Sequence, residues 1–174
     1  MKVGVLAGLV LFGAIVTSCA GATTSTPGPQ GVVAAPSVAV ASAAPTVDPA
    51  IVAAGTAYKA AADAYNGAAQ KLLLAYGNVH WLAKAQAHYK AMARAEQAFA
   101  AAIRKATFPA VLRPHVKLLL DTTEAVAALD LKASKLKALG KIESLERDIF
   151  VADRHSSAAA DLVRRDFRVL GINL

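Results

Sequence analysis

The chain has 174 residues, of which 56% are hydrophobic and 6% aromatic, and its net charge is +7. Its single cysteine, Cys19, excludes an internal disulfide, so any folded domain must rely on its apolar core. All 12 acidic residues and 18 of the 19 basic ones lie from Asp48 onward, which gives that part a charge of +6. This modest excess favours contact with anionic surfaces and does not indicate nucleic acid binding.

The first residues have the pattern of an export signal. Lys2 is followed by an uncharged apolar stretch, residues 3–16. A membrane-spanning helix needs about 20 apolar residues, more than this stretch provides. A secretory signal needs a basic start, an apolar segment of about 7–15 residues and small residues at the cleavage site. The pattern therefore predicts a cleaved signal peptide.

The end of this signal, Val16-Thr17-Ser18-Cys19, resembles the lipobox of bacterial lipoproteins. Val16 and Ser18 stand where that family prefers leucine and alanine or glycine. The resemblance implies that residues 1–18 are removed and that Cys19 carries lipid, palmitate included. That lipid would anchor the exported protein to the cell membrane or envelope. Two alternatives stay open: cleavage after Ala22, which would release a soluble protein, and an uncleaved membrane anchor.

A low-complexity segment, residues 19–47, follows the signal. From position 20 it has no charge, four prolines and no large apolar residue to bury. We interpret it as a tether that spans roughly 30 Å as a flexible coil and roughly 85 Å when extended. Residues 48–174 then form the predicted helical domain, where Ala, Leu, Lys, Arg and Glu dominate and no strand pattern is found.

The first helix is predicted to begin at Asp48 and Pro49, a capping residue followed by a proline at the first helical position. Gly77-Asn78 is predicted to end it. Two columns recur every seven residues, and they predict a seam with close approach of a neighbouring helix. The large column is Ile51, Tyr58, Tyr65 and Leu72, and the small one is Ala54, Ala61, Ala68 and Ala75.

Three further helices follow from apolar periodicity. Helix 2 is predicted over about 79–106 and ends before Phe108-Pro109, and helix 3 begins near Ala110. Gly140 separates helix 3 from helix 4, and Gly171 ends helix 4. Short turns make neighbouring helices antiparallel, so the sequence predicts an all-α, up-down-up-down four-helix bundle. A three-helix arrangement, continuous through Gly140, is the alternative, because a helical glycine costs only about 1 kcal/mol.

The domain carries no Glu-x-x-His pair, haem or zinc motif, nucleophile elbow or phosphate loop. We therefore predict no catalysis, no cofactor and no metal. One polar constellation remains, with Glu96 on the apolar stripe of helix 2 and four residues near mid-height of the bundle, within roughly 6 Å of one another along the axis. These are Glu96, Asp121, Glu124 and His155. They form either a metal or small-ligand site, or a surface pairing in which Glu96 turns outward to a Lys or Arg.

Basic residues collect at the end of the predicted bundle where the tether enters. They are Arg104, Lys105, Arg113, Lys117, Arg164, Arg165 and Arg168, opposed mainly by Asp48 and Asp166. At the other end, Asp130, Glu143, Glu146 and Asp148 offset the lysines. The basic end is therefore predicted to face the membrane, although helix dipoles alone favour some of these cations.

Together these features predict a lipid-anchored envelope protein whose helical domain is a non-catalytic interaction or structural module. Its partners would be the membrane, through Cys19, and an envelope protein. The alternative is a ligand- or metal-binding lipoprotein that uses the mid-bundle polar residues.

Overall fold

The computed structural model of the protein describes residues 47–76 and 81–174. Within them four α-helices are present and no strand, which confirms the predicted all-α class. The predictions made for Cys19, the signal, most of the tether and Gly77-Asn78 fall outside the described residues. The helices are α1 (Pro49–Tyr76), α2 (Leu82–Lys105), α3 (Arg113–Ala133) and α4 (Leu139–Val169).

Local side-chain chemistry sets the first and last helix boundaries, as predicted. The Ala50 backbone N–H donates to Asp48 Oδ1 at 2.8 Å, which satisfies one of the free donors of the first turn of α1. At the end of α4, Gly171 adopts a φ of 85°. The Ile172 N–H donates to the Phe167 carbonyl and the Gly171 N–H to that of Arg168, which is the Schellman arrangement.

The connections differ from the sequence expectation in two places. Helix α3 begins at Arg113 rather than near Ala110, because a turn closed by the Leu112 N–H and the Pro109 carbonyl precedes it. The break between α3 and α4 lies at residues 134–138, and Gly140 is already within the first turn of α4. The continuous three-helix alternative is therefore wrong.

Contacts between helices establish the up-down-up-down order. Gln86 Nε2, early in α2, donates to the Leu136 carbonyl just after α3 at 2.8 Å, so these two helices are antiparallel. His115, early in α3, meets Asp166, late in α4. Successive helices pack closely, whereas early α1 meets late α4 through large side chains, with ring centroids of Tyr58 and Phe167 5.9 Å apart.

We call the end that holds Val47, the α2–α3 connection and Gly171 the proximal end, and the end where α1 finishes, α2 begins and the α3–α4 connection lies the distal end. A large core fills the proximal half. Its buried residues are Ala54, Tyr58, Ala61, Ala62, Phe99, Ile103, Phe108, Leu112, Val116, Leu119, Ala159, Ala160, Val163 and Phe167. A small core fills the distal half, and its buried residues are Ala85, Tyr89, Ala133, Ile142 and Leu145.

Glycine 55 lets the carboxyl-terminal segment close the large core. A Cβ built on Gly55 would lie 3.0 Å from Ile172 Cγ2 and 3.4 Å from Leu174 Cδ2. Because only hydrogen occupies this position, both side chains reach α1 without a clash. The chain end beyond α4 thus becomes part of the proximal packing.

The predicted alanine column of α1 follows the helix interface for only part of its length. Ala54 and Ala61 are buried, Ala68 is half-buried and Ala75 is exposed. A straight α-helix drifts about 20° per heptad from a seven-residue repeat, so the column rotates out of the seam toward the distal end. None of the helices in the described residues has the length and apolarity required to cross a bilayer.

Candidate functional site: a buried carboxyl layer

Between the two cores, three helices each contribute an acidic side chain. Glu96 of α2 and Asp130 of α3 are each only 2% exposed, and Asp153 of α4 is half-buried. Close by, Thr123 Oγ1 and Ser156 Oγ are hydrogen-bonded at 3.0 Å. We refer to Glu96, Asp130, Asp153 and the polar residues beside them, Tyr65, Thr123 and Ser156, as the carboxyl layer.

The carboxyl layer encloses very little space. The cavity that Tyr65, Glu96, Thr123, Asp153 and Ser156 help to line has a volume of about 10 Å³. A single water molecule needs about that much room. Ligand pockets are usually several hundred Å³, so this cavity excludes any organic molecule in the conformation described.

The buried environment of the layer disfavours the charged form of its acidic side chains, and neighbouring acids raise the pKa of two of them. Burial raises the pKa of Glu96 far above its ordinary range, and the Asp130 and Asp153 carboxylates raise it further. Burial, and then Asp153, likewise raise the pKa of Asp130. Burial alone raises the pKa of Asp153 to about 6. The charges that act on Glu96 are all negative, so the carboxyls cannot all be ionised together.

The surroundings of two buried carboxyl oxygens also favour the protonated form. Glu96 Oε2 and Asp130 Oδ1 have no hydrogen-bond partner among the described residues. An ionised carboxylate without donors is costly to bury, whereas a protonated carboxyl is neutral. The layer therefore favours proton retention at neutral pH. Among the described residues, no group of three His, Cys, Asp or Glu side chains is arranged to hold a metal ion.

The four residues predicted to form the mid-height site do not come together. Glu96 lies in the layer, but Asp121, Glu124 and His155 are exposed. Asp121 Oδ2 lies 2.5 Å from Lys117 Nζ, and Glu124 forms an ion pair with Arg104. A similar height along the bundle axis does not bring the four together, because only Glu96 faces the interior.

The buried face of α3 differs from the one that apolar periodicity favours. The periodicity favours Thr122 and Leu129 as interior residues, whereas the structure buries Thr123 and Asp130. Leu119, Val126 and Ala133 are buried on either assignment, so the buried face is displaced by less than the roughly 100° step between adjacent residues. Asp130 and Asp153 were missed, although Thr123 and Asp130 are seven residues apart and so share a face.

The predicted basic cluster is at the proximal end, but acids neutralise part of it. Three of its cations are ion-paired: Arg104 with Glu124, Lys117 with Asp121 and Arg164 with Asp161. The sequence analysis had counted only Asp48 and Asp166 against this cluster. Arg113 Nε donates to the Phe108 carbonyl at 3.1 Å. The remaining cations, Lys105, Arg165 and Arg168, are exposed.

Two histidines contact side chains of other helices or neighbouring rings. His115 is half-buried, with Nδ1 2.5 Å from Asp166 Oδ2, so it ties the start of α3 to the end of α4. His88 packs between the rings of Tyr76 and Tyr89, with centroids 5.5 and 5.3 Å away, and burial lowers its pKa. Tyr89 Oη donates to Glu146 at 2.9 Å. These contacts describe packing and do not define a reaction centre.

An open depression lies beside the α2–α3 connection. It has a volume of about 330 Å³, and Ile103, Phe108, Val116, Arg113 and Lys117 are among the residues that line it. Lys117 forms an ion pair with Asp121, and Arg113 donates a hydrogen bond to the Phe108 carbonyl. Both cations therefore have local partners. The depression is a shallow surface feature, distinct from the enclosed carboxyl layer.

Comparisons with models of protein families, with curated proteins and with solved structures found no match to this chain.

Proposed function

We propose that this protein is an exported, lipid-anchored component of the cell envelope, and that its helical domain is a non-catalytic interaction module. The anchoring part of the proposal is supported by the Val16-Thr17-Ser18-Cys19 sequence and by the uncharged tether after it. The interaction part is supported by one observation. The carboxyl layer leaves only about 10 Å³ of enclosed space, so a larger partner must bind on the outer surface.

The anchor is tested by replacing the acceptor sulfur. Each buried methylene of an attached chain contributes about 0.8 kcal/mol to membrane binding, and two chains suffice for stable attachment. Cys19→Ser should therefore leave the membrane fraction or accumulate as the unprocessed precursor. Ser18→Ala, which keeps a small residue before Cys19, is the matched control and should fractionate and migrate like wild type.

The two outcomes are separable by mass. Lipid-modified protein gains acyl mass and loses residues 1–18, whereas cleavage after Ala22 gives a lighter chain without lipid. A Cys19→Ser protein with wild-type mass and fractionation would contradict the anchor. Cleavage after Ala22 in the wild-type protein would replace the lipid-anchored assignment with a soluble one.

A second candidate function is cation binding in the carboxyl layer, and the unpartnered Glu96 Oε2 favours it. The primary proposal predicts no stoichiometric metal in the purified full chain by elemental analysis. Glu96→Gln removes one carboxylate of the layer, and Glu143→Gln removes an exposed one on α4 as its control. One metal per chain, lost in Glu96→Gln and kept in Glu143→Gln, would favour the second candidate instead.

A further inference from the structure

The distal end carries a run of cations that no acid interrupts in the sequence. Four lysines lie around the α3–α4 connection, and residues 131–142 contain no aspartate or glutamate. All four are exposed, and none forms an ion pair with a residue that the structure describes. They are Lys132, Lys135, Lys137 and Lys141. At the proximal end, by contrast, three cations are paired.

Two large apolar side chains are exposed at the same end. Leu74, near the end of α1, is 80% exposed, and Trp81, just before α2, is 74% exposed. The first turns of α2 contact the α3–α4 connection, since Gln86 Nε2 donates to the Leu136 carbonyl. Trp81 therefore lies at the same end of the molecule as the lysines. We call Leu74, Trp81 and these four lysines the distal surface.

An acid that the sequence analysis had set against these lysines is not on the surface. Asp130 is buried in the carboxyl layer, where burial and Asp153 raise its pKa. It therefore contributes little negative charge at the distal end near neutral pH. Glu143 of α4 is the nearest exposed acid along the chain. The distal surface is consequently more positive than the sequence alone indicated.

We propose that the distal surface docks on an anionic lipid membrane. Tryptophan suits the boundary between lipid headgroups and acyl chains, because its ring is largely apolar and its indole N–H is polar. The leucine side chain adds apolar area beside it. Lysine is a compact charge on a flexible stem, whereas arginine makes the bidentate contacts typical of fixed protein carboxylates. Four exposed lysines at the same end of the bundle as an exposed tryptophan therefore fit a fluid array of anionic headgroups better than a shaped acidic partner.

This assignment replaces the predicted orientation, in which the proximal end faces the membrane. Docking itself does not depend on the lipid anchor; docking onto the membrane that holds the anchor does. Helix α1 has 28 residues, so the bundle is about 42 Å long. A tether that reaches roughly 85 Å when extended can pass this length, so the distal end can contact either the same or an opposing membrane.

Trp81 provides the readout, because it is the only tryptophan in the chain. The probe is the full chain carrying Cys19→Ser, mixed with vesicles of phosphatidylglycerol or of phosphatidylcholine. We expect a blue shift of tryptophan emission on the anionic vesicles, little shift on the neutral ones, and weaker binding at high salt. No shift on anionic vesicles, or an equal shift on both, would overturn the proposal.

Matched charge variants locate the binding surface. Each lysine close to an anionic surface strengthens binding about fivefold, so Lys135→Gln/Lys137→Gln/Lys141→Gln should weaken it about 100-fold. The control, Lys105→Gln/Arg165→Gln/Arg168→Gln, removes three exposed cations from the proximal end and should change binding less than about threefold. An equal or larger loss in the control would overturn the distal assignment.

A further variant and a further ligand test whether the distal surface recognises lipid. Trp81→Ala should lose affinity for the anionic vesicles while it keeps the wild-type Tm, because the side chain is exposed. This variant is followed by vesicle sedimentation. In the protein that retains Trp81, soluble polyglutamate should not reproduce the emission shift. A shift of the same size with polyglutamate would mean that the surface recognises an acidic polypeptide, and would contradict lipid docking. Failure of the lipid anchor would leave these results unchanged.

Discussion

The two halves of the bundle are packed to very different degrees. The six largest fully buried side chains in the described residues all belong to the large core: Tyr58, Phe167, Ile103, Leu112, Leu119 and Val163. The small core has none of this class, and the distal end exposes Leu74 and Trp81. Because burial of apolar surface dominates stability, the proximal half should hold the fold and the distal half should open more easily.

The carboxyl layer lies where the two halves meet. Glu96 and Asp130 each bury a carboxyl oxygen without a hydrogen-bond partner, which costs free energy of folding. A polar layer of this kind interrupts the apolar interior and ties its stability to protonation. The boundary between the two cores is therefore also where the stability of the fold depends on pH.

Leucine-to-alanine substitutions in the two cores should give the largest difference in the free energy of unfolding. Leu119→Ala in the large core should lower the free energy of unfolding by about 4–5 kcal/mol, and Leu145→Ala in the small core by about 2–3 kcal/mol. Leu119 is fully buried, whereas Leu145 has some solvent contact. Urea unfolding measures both, with attention to any change in the m-value. Equal losses would remove the asymmetry between the halves.

Protonation of the carboxyl layer should make stability fall as pH rises. Glu96 keeps its proton in the folded state above the pH at which the unfolded chain loses it. Its contribution is fully present below about pH 4.5 and is lost as pH rises through its raised folded pKa. Asp130 and Asp153 act in the same direction. The slope should be about 1.4 kcal/mol per pH unit for each group held protonated.

Glu96→Gln should flatten this profile, because glutamine is neutral throughout and no longer raises the pKa of its neighbours. Chemical unfolding from pH 5 to pH 8 provides the measurement. Glu143→Gln, on the exposed face of α4, should leave the slope unchanged. Stability that rises with pH in wild type, or an equal slope in Glu96→Gln, would contradict proton retention in the layer.

The alanine column of α1 gives the smallest expected effect and crosses both halves. Ala61→Leu adds volume to a buried seam and should cost about 1–3 kcal/mol. Ala75→Leu makes the same change at an exposed distal position and should stay within about 0.5 kcal/mol. Thermal unfolding of both variants checks the pair. A similar shift in Tm for both would mean that the column stays at the interface along the whole helix.

Features set by local chemistry were predictable from the sequence. The cap at Asp48, the turn at Gly171 and the four helices with their antiparallel order follow from residues close together in the chain. The rotation of α3 was not predictable to one residue. Thr122 and Thr123 are adjacent and chemically identical, and only the packing of α2 and α4 around them decides which is buried.

The composition of the carboxyl layer depended on this rotation. An aspartate is rarely buried without a partner, and the sequence favoured Asp130 as one of the acids that offset the lysines of the distal end. The structure instead brings it close to acids from two other helices. The Arg104–Glu124 pair likewise joins α2 to α3, and no spacing within either helix indicates it. Contacts between helices, rather than the helices themselves, account for the missed residues.

Native-state hydrogen exchange at fixed pH distinguishes the two halves, because it reports the opening free energy of each amide. We expect the amides of Ile103 and Leu119 in the large core to exchange only through global unfolding. Amides of Ala85 and Leu145 in the small core should exchange through a smaller opening that leaves the proximal half folded. Uniform protection across both cores, or earlier exchange in the large core, would contradict this expectation.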